Sequence, residues 1–288
     1  MRCDSHVHVV ASHEEFAQSP GRTFLAQAAP LQALIDNGKP HGIDHFVITQ
    51  PSFYGADNTI LLQALDALRG KGSGVVTISP GIDRRELQLM RRRGVSGLRV
   101  NLYSPAARNV GDGTDDIAAI FRIAAEHGFH VEVIAPLTGI IASADFLANT
   151  GVPTVIDHYG LFGNTRPGDD EGRALLALVE EGHMWMKLSS PYRHPDQPLR
   201  TEPDREWLSA FLDACLDRCV WGSDWPHPPP HEEHAGPDVI SPWRQLSYSE
   251  LVERFFEALD SEDLIDRIMW ENPCRLYGFD PAFTAAQR

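Results

Sequence analysis

Eight short segments of strand character recur along this chain, and each is followed by a stretch that reads as a loop and then a helix. The strand segments fall at 2–9, 45–50, 74–80, 97–103, 130–136, 152–159, 184–190 and from Cys219 onward. Residues 11–40 read as a long loop with a short helix, and helices with apolar residues at helical spacing follow at 59–68, 84–93, 116–127, 138–149, 171–181 and 205–216. Asp57 or Asn58 is the natural N-cap of the 59–68 helix. Gly94, Gly128, Gly151 and Gly182 stand just past helix ends, as is usual where parallel βα units are joined. The pattern predicts an α/β fold. Eight units with no glycine-rich phosphate turn after the first strand favour a closed (β/α)8 TIM barrel over a doubly wound open sheet. Additional C-terminal helices at 248–258 and 261–270 complete the ring, and with no linker or repeat in view residues 1–288 are expected to form a single domain.

Composition narrows the partners. The chain is 42% hydrophobic and 23% charged, and it has no apolar run near the ~20 residues a membrane span needs. The N-terminus lacks the basic and then apolar regions of a signal peptide, so a cytoplasmic location is expected. A formal net charge of −15 argues against nucleic acid and anionic membrane as partners. An anionic substrate would therefore need a local cluster of Arg or Lys. The four cysteines, Cys3, Cys215, Cys219 and Cys274, are too scattered for a disulfide framework and are read as buried free thiols. Oligomeric state is left open.

In a barrel of this kind the reactive groups gather at the C-terminal ends of the strands. His6 and His8 on the first strand have the i, i+2 spacing that places both on one face, with Asp4 on the same face nearer the bottom. Later strands end at Gln50 and Ser52, at Arg99 and Asn101, at Asp157 and His158, and at Lys187 and Ser189 followed by Arg193. The last carries Trp221-Gly222-Ser223-Asp224-Trp225-Pro226-His227, where Gly222 permits close backbone approach and Pro226 ends the strand just after a carboxylate. Each has a plainer reading. A lone strand histidine is usually core, Asp157 serves equally as a helix cap, and Arg99 and Lys187 as structural ion pairs. Convergence at several strand ends favours a site. His13, His41, His45, His127, His130 and His183 fall in loops or at strand starts and are assigned nothing.

These motifs resemble the amidohydrolase superfamily: Asp4-Ser5-His6-Val7-His8, Asp157-His158, and the segment from Trp221 to His227. Gln50-Pro51-Ser52, Tyr54-Gly55-Ala56-Asp57-Asn58 and Gly97-Leu98-Arg99-Val100-Asn101 are similar to its branch containing 2-pyrone-4,6-dicarboxylate lactonase. The resemblance implies a hydrolase that opens a small carboxylated lactone. Asp224 would be the general base for water, and His6, His8 and His158 would donate to the carbonyl oxygen. Arg99 and Arg193 would hold the substrate carboxylate, with Ser52, Tyr54, Asn101 and His227 as further binding residues and Trp225 beside Tyr54 as a wall. Much of the superfamily binds divalent metal, but here the fifth strand has its histidine at the wrong end and the fourth offers Arg99, a poor ligand. No cofactor is therefore expected. The alternative is one divalent metal, Zn or Mn, held by His6, His8 and Asp224. Several cations of the pyrone lactonase are absent, with Arg108 and Arg166 as candidate substitutes, so the expected partner is a small anionic lactone or carboxylate of open identity. A metal-dependent decarboxylase, a sugar-lactone isomerase and a non-catalytic binding barrel are the competing readings.

Overall fold

The structure is a computed structural model and describes residues 1–104, 114–230 and 236–279. Its centre is an eight-stranded parallel sheet made of β1 (Arg2–Val7), β3 (Ile43–Thr49), β4 (Gly72–Val76), β5 (Val95–Asn101), β6 (His130–Ile134), β7 (Thr154–Ile156), β8 (Met184–Ser189) and β9 (Cys219–Gly222), paired in that order. A parallel bridge between Val7 and Trp225, with the Asp224 N–H donating to the His6 carbonyl at 2.9 Å, joins the last strand to the first. The fold is a (β/α)8 barrel. A short pair, β2 (Leu25–Ala26) with β10 (Ile240–Ser241), ties the loop after β1 to the loop after β9.

Helices between the strands follow the sequence pattern closely. They are α1 (Leu31–Gly38), α2 (Thr59–Leu68), α3 (Arg84–Arg92), α4 (Thr114–His127), α7 (Asp170–Glu180) and α8 (Arg205–Cys215), with α9 (Tyr248–Leu259) after the barrel. Asp83, Asp204 and Ser247 accept N–H bonds at the starts of α3, α8 and α9, each such cap being worth about 1 kcal/mol. At α2 the capping carboxylate is Asp57, which accepts from the Thr59 N–H at 3.1 Å, while Asn58 pins the strand-end residue Thr77.

Two expected helices are broken. The 138–149 stretch is α5 (Leu137–Ala142) and α6 (Ala144–Asn149), parted at Ser143. The 261–270 stretch becomes α10 (Glu262–Asp266), a π-helical turn at Arg267–Glu271 and α11 (Asn272–Tyr277). Pro273 explains the second break, since it has no N–H to return to the Met269 carbonyl.

The expected face for Asp4 is also overturned. A register shift between Asp4 and Val7 interrupts the alternation of β1. Cys3 packs inward with Val47, Val75, Val220 and Tyr277, whereas the Asp4 carboxylate takes the Tyr248 hydroxyl of α9 at 3.0 Å and the Ser223 and His6 N–H groups at 2.9 and 3.2 Å. Beyond the shift, His6 and His8 both face the barrel mouth, so the i, i+2 reading holds for them. Gly222 has the role its position suggests: a Cβ there would lie 2.6 Å from the His6 Cβ, so only glycine lets β9 lie this close to β1.

Cys3, Cys215 and Cys219 are buried free thiols. Among the described residues no helix is long and apolar enough to cross a membrane.

Candidate active site

Asp224 stands where β9 ends, with a left-handed backbone (φ 57°) that turns its carboxylate across the barrel mouth. Its side chain is wholly buried. Oδ2 accepts from the Ser190 hydroxyl at 2.8 Å, from the Tyr192 hydroxyl at 2.9 Å, and from Arg193 through Nε at 3.0 Å and Nη2 at 2.8 Å. Oδ1 meets His8 Nε2 at 3.1 Å and His6 Nε2 at 3.6 Å. Burial alone would push this carboxyl up. The opposing pull of Arg193, then His158, His8 and His6, outweighs it and holds Asp224 well below the usual carboxylate range.

Three histidines close the mouth around that oxygen, with ring centroids of His6 lying 5.0 Å from His8 and 4.7 Å from His158. His8 Nδ1 donates to the Thr49 carbonyl at 2.7 Å, which aims Nε2 at Asp224. His158 begins a run of four left-handed residues, His158 to Leu161, and its Nδ1 lies 2.8 and 2.9 Å from the Ser189 and Ser190 hydroxyls. The Nε2 atoms of His6 and His158 are buried without a hydrogen-bond partner. Burial, reinforced by Lys187 at His6 and by Arg193 at His158, drives both rings well below the usual histidine range. They are neutral at pH 7.

Beneath this layer lies a buried ion cluster. Lys187 of β8 bonds Glu132 of β6, sits 3.1 Å from Asp157 Oδ1, and reaches His6 Nδ1 at 3.0 Å. Asp157 is thus an ion-pair partner, and its side chain makes no helix cap. Glu132 also accepts from the Thr49 hydroxyl at 3.1 Å.

Beside the histidines opens a cleft lined by His8, Ser52, Arg99, Asn101 and Arg193, with Phe24, Phe53 and Trp243 as apolar walls. Arg99 donates to the Gln50 carbonyl and keeps a buried Nε without a partner. The Asn101 side-chain oxygen is spent on the Tyr103 and Ser104 N–H groups, and Ser52 accepts from the Ser104 hydroxyl at 3.0 Å. Tyr54, Trp225 and His227 do not line the cavity. The Tyr54 hydroxyl accepts from the Ala11 N–H at 3.1 Å and its ring packs on Phe16 and Phe53, while His227 packs edge-on to Tyr192. Arg166 is on the surface, its N–H on Asp169, and Arg108 lies outside the described residues.

Sequence reasoning passed over Glu132, Ser190 and Tyr192. A signal for Glu132 existed, because a carboxylate in the middle of an apolar strand needs a buried partner. The two hydroxyls carry no comparable signal.

Two groups, His6 with Asp157 and His158, and His6 with His8 and Asp224, have ligand atoms within 4.8 Å of one another and are close enough to hold a metal ion. In the second, the Arg193 guanidinium is forked onto Asp224 Oδ2 and offsets its charge, leaving Oδ1 as the oxygen that faces the two histidines.

The protein amidohydrolase family model matches residues 3–279. A 4-sulfomuconolactone hydrolase from Hydrogenophaga intermedia is 26% identical over 96% of this chain and 88% of its own. A 2-pyrone-4,6-dicarboxylate hydrolase from Comamonas testosteroni is 28% identical over 95% of this chain and 89% of its own. A solved Pseudomonas putida structure, assigned as a 2-pyrone-4,6-dicarboxylic acid hydrolase, is 29% identical with a TM-score of 0.79, covering 97% of this chain and 98% of that one. With its barrel, its strand-end histidines and aspartate, and a match that runs almost end to end, this chain belongs to the amidohydrolase family.

Proposed function

We propose that this protein hydrolyses the ring ester of a small lactone bearing an anionic group, and that it does so without metal. The observation that carries the reading is the Asp224 carboxylate set among three histidines, at the edge of a cavity holding Arg99. Similarity to relatives named as lactone hydrolases supports the same reaction class. Water bound at Asp224 Oδ1 attacks the lactone carbonyl. Its oxygen forms the new C–O bond while its proton passes to Asp224. Negative charge gathers on the carbonyl oxygen, where a histidine N–H at the mouth offsets it in a site shielded from bulk water. The ring C–O bond then breaks, and the leaving oxygen takes the proton held by Asp224.

Arg99 and the cavity's serines receive the substrate's anionic group. Arg193 has a double part: an arriving anion competes for its guanidinium, and each bond drawn away from Asp224 makes that carboxylate a stronger base. The guanidinium on Asp224 supports the metal-free reading, while the two ligand groups at the mouth are what favours the alternative of a bound Zn or Mn ion.

The test is a panel of lactones carrying carboxylate or sulfonate groups, assayed with the wild type and Asp224→Asn, with and without exhaustive chelation. Turnover should survive chelation and fall by about four powers of ten in Asp224→Asn, with circular dichroism unchanged. Undiminished turnover in the variant removes the base assignment, and activity lost to chelator and restored by zinc or manganese overturns the metal-free reading.

A further inference from the structure

The Glu132, Lys187 and Asp157 cluster touches no part of the cavity, yet one of its bonds reaches the site. Lys187 Nζ has three acceptors around it: Glu132 Oε2, Asp157 Oδ1 at 3.1 Å and His6 Nδ1 at 3.0 Å. An ammonium has three N–H groups and no lone pair, so it can only donate. His6 Nδ1 is therefore an acceptor, and a neutral ring that accepts at Nδ1 carries its proton on Nε2. That Nε2 is the buried atom without a hydrogen-bond partner, 3.6 Å from Asp224 Oδ1. We propose that Lys187 is a positioning residue that locks His6 as its Nε2–H tautomer, making it a standing donor to the carbonyl oxygen and denying its Nε2 lone pair to a metal ion.

The alternative tautomer has a partner ready. Glu132 Oε1 lies 3.3 Å from the same Nδ1. Without the ammonium, Nδ1 would carry the proton and donate it to Glu132, turning the Nε2 lone pair toward His8 and Asp224. A carboxylate behind a histidine is the arrangement that orients metal-ligating imidazoles. One lysine thus selects between a hydrogen-bond donor and a metal ligand at the same atom. The proposal deepens the lactonase reading and rests on it for the donor's purpose, but the tautomer itself does not depend on the substrate.

The experiment uses the full chain labelled with 15N-histidine, with His6→Gln as the assignment control, and compares wild type, Lys187→Met and Glu132→Gln/Lys187→Met. The double variant removes both charges together and keeps an amide oxygen for the ring, so it folds where the single one fails. In the wild type the His6 Nε2 resonance should show the directly bonded proton and Nδ1 should not; the double variant should reverse this. Zinc alone, titrated by calorimetry, should bind the double variant at least about tenfold more tightly than the wild type. Lactone turnover in the double variant should drop about a hundredfold in kcat with KM nearly unchanged, the size expected for one lost donor to an oxyanion. A wild-type His6 protonated at Nδ1, or equal zinc affinity in the two proteins, overturns the proposal. Because the resonance and zinc readouts need no turnover, failure of the lactonase reading would leave them standing and show itself separately.

Discussion

Arg193 holds Nε and Nη2 against a single carboxylate oxygen, and in the proposed mechanism that contact governs when Asp224 can act. It is the strongest influence pulling the carboxyl down against burial. Removing it in Arg193→Met should let the Asp224 pKa climb, because desolvation then acts with less opposition. The sign in the pH profile follows. In the wild type Asp224 stays ionised through mildly acid solution, so kcat/KM should show no acid limb from it above about pH 5. In Arg193→Met an acid limb should enter the accessible range and move rightward, alongside a stability loss of about 3 kcal/mol for an uncompensated buried charge. A profile identical to wild type would show that Arg193 does not set the base. At this scale the sequence was readable where a polar side chain stood at a strand's end: His6, His8, His158 and Asp224 all stand there, and the fold brings them together. Glu132 stood out as a carboxylate inside an apolar strand, but nothing local pointed to its partner Lys187, far off in the chain, and Tyr54 was misplaced because an aromatic beside a mouth motif looks the same whether it faces the cavity or the loop at Ala11.

Among the elements, β1 departs most from its sequence pattern, and the departure has a measurable charge. Strict alternation put Asp4 with the histidines; the shift in register sends it outward to Tyr248 and Ser223 instead, and no residue type in Asp4-Ser5-His6 announces such a shift. Burial, only partly offset by bonds from Ser223, His6 and Tyr248, pushes the Asp4 carboxyl up to about 6. A folded-state pKa above the unfolded value of 3.8 means that folding favours the protonated form. The associated stability is present below the unfolded value and is lost as pH rises through about 6, by about 3 kcal/mol in all. Asp4→Asn keeps the acceptor oxygen and removes the titration. Denaturant unfolding of the two proteins should therefore show the wild type losing ground to Asp4→Asn between pH 4 and 7, and parallel curves would contradict the assignment. The other elements were legible in number and order because each helix carries its own apolar spacing. Their interruptions at Ser143 and before Pro273 were not, since a stretch of good spacing conceals where its hydrogen bonds change partner.

For the molecule as a whole, everything converges on one seam. The barrel closes where β9 meets β1, and the contact depends on the missing side chain at Gly222. In Gly222→Ala the added carbon would sit 2.8 Å from the His6 backbone nitrogen as well as against its Cβ, so the two strands must part. Overpacking of this kind costs about 1–3 kcal/mol, which for a chain of this size lowers Tm by several degrees. Activity should fall much further than stability, because His6 and Asp224 face each other across that same seam. A variant with a lowered Tm and full turnover would separate closure from the site.

The seam also joins residues at opposite ends of the sequence: His6 and His8 come from the first turn of the ring and Asp224 from its last strand. Most of the barrel's pairings are between neighbours in the chain, but this one spans more than two hundred residues and bears a correspondingly high loop-closure cost. The Asp224 carboxylate and the first-strand histidines beside it therefore do not exist as a unit until the two ends have met. Turnover is in that sense a reporter of circular integrity, and a refolding chain can regain its helices and most of its sheet while the chemistry is still silent.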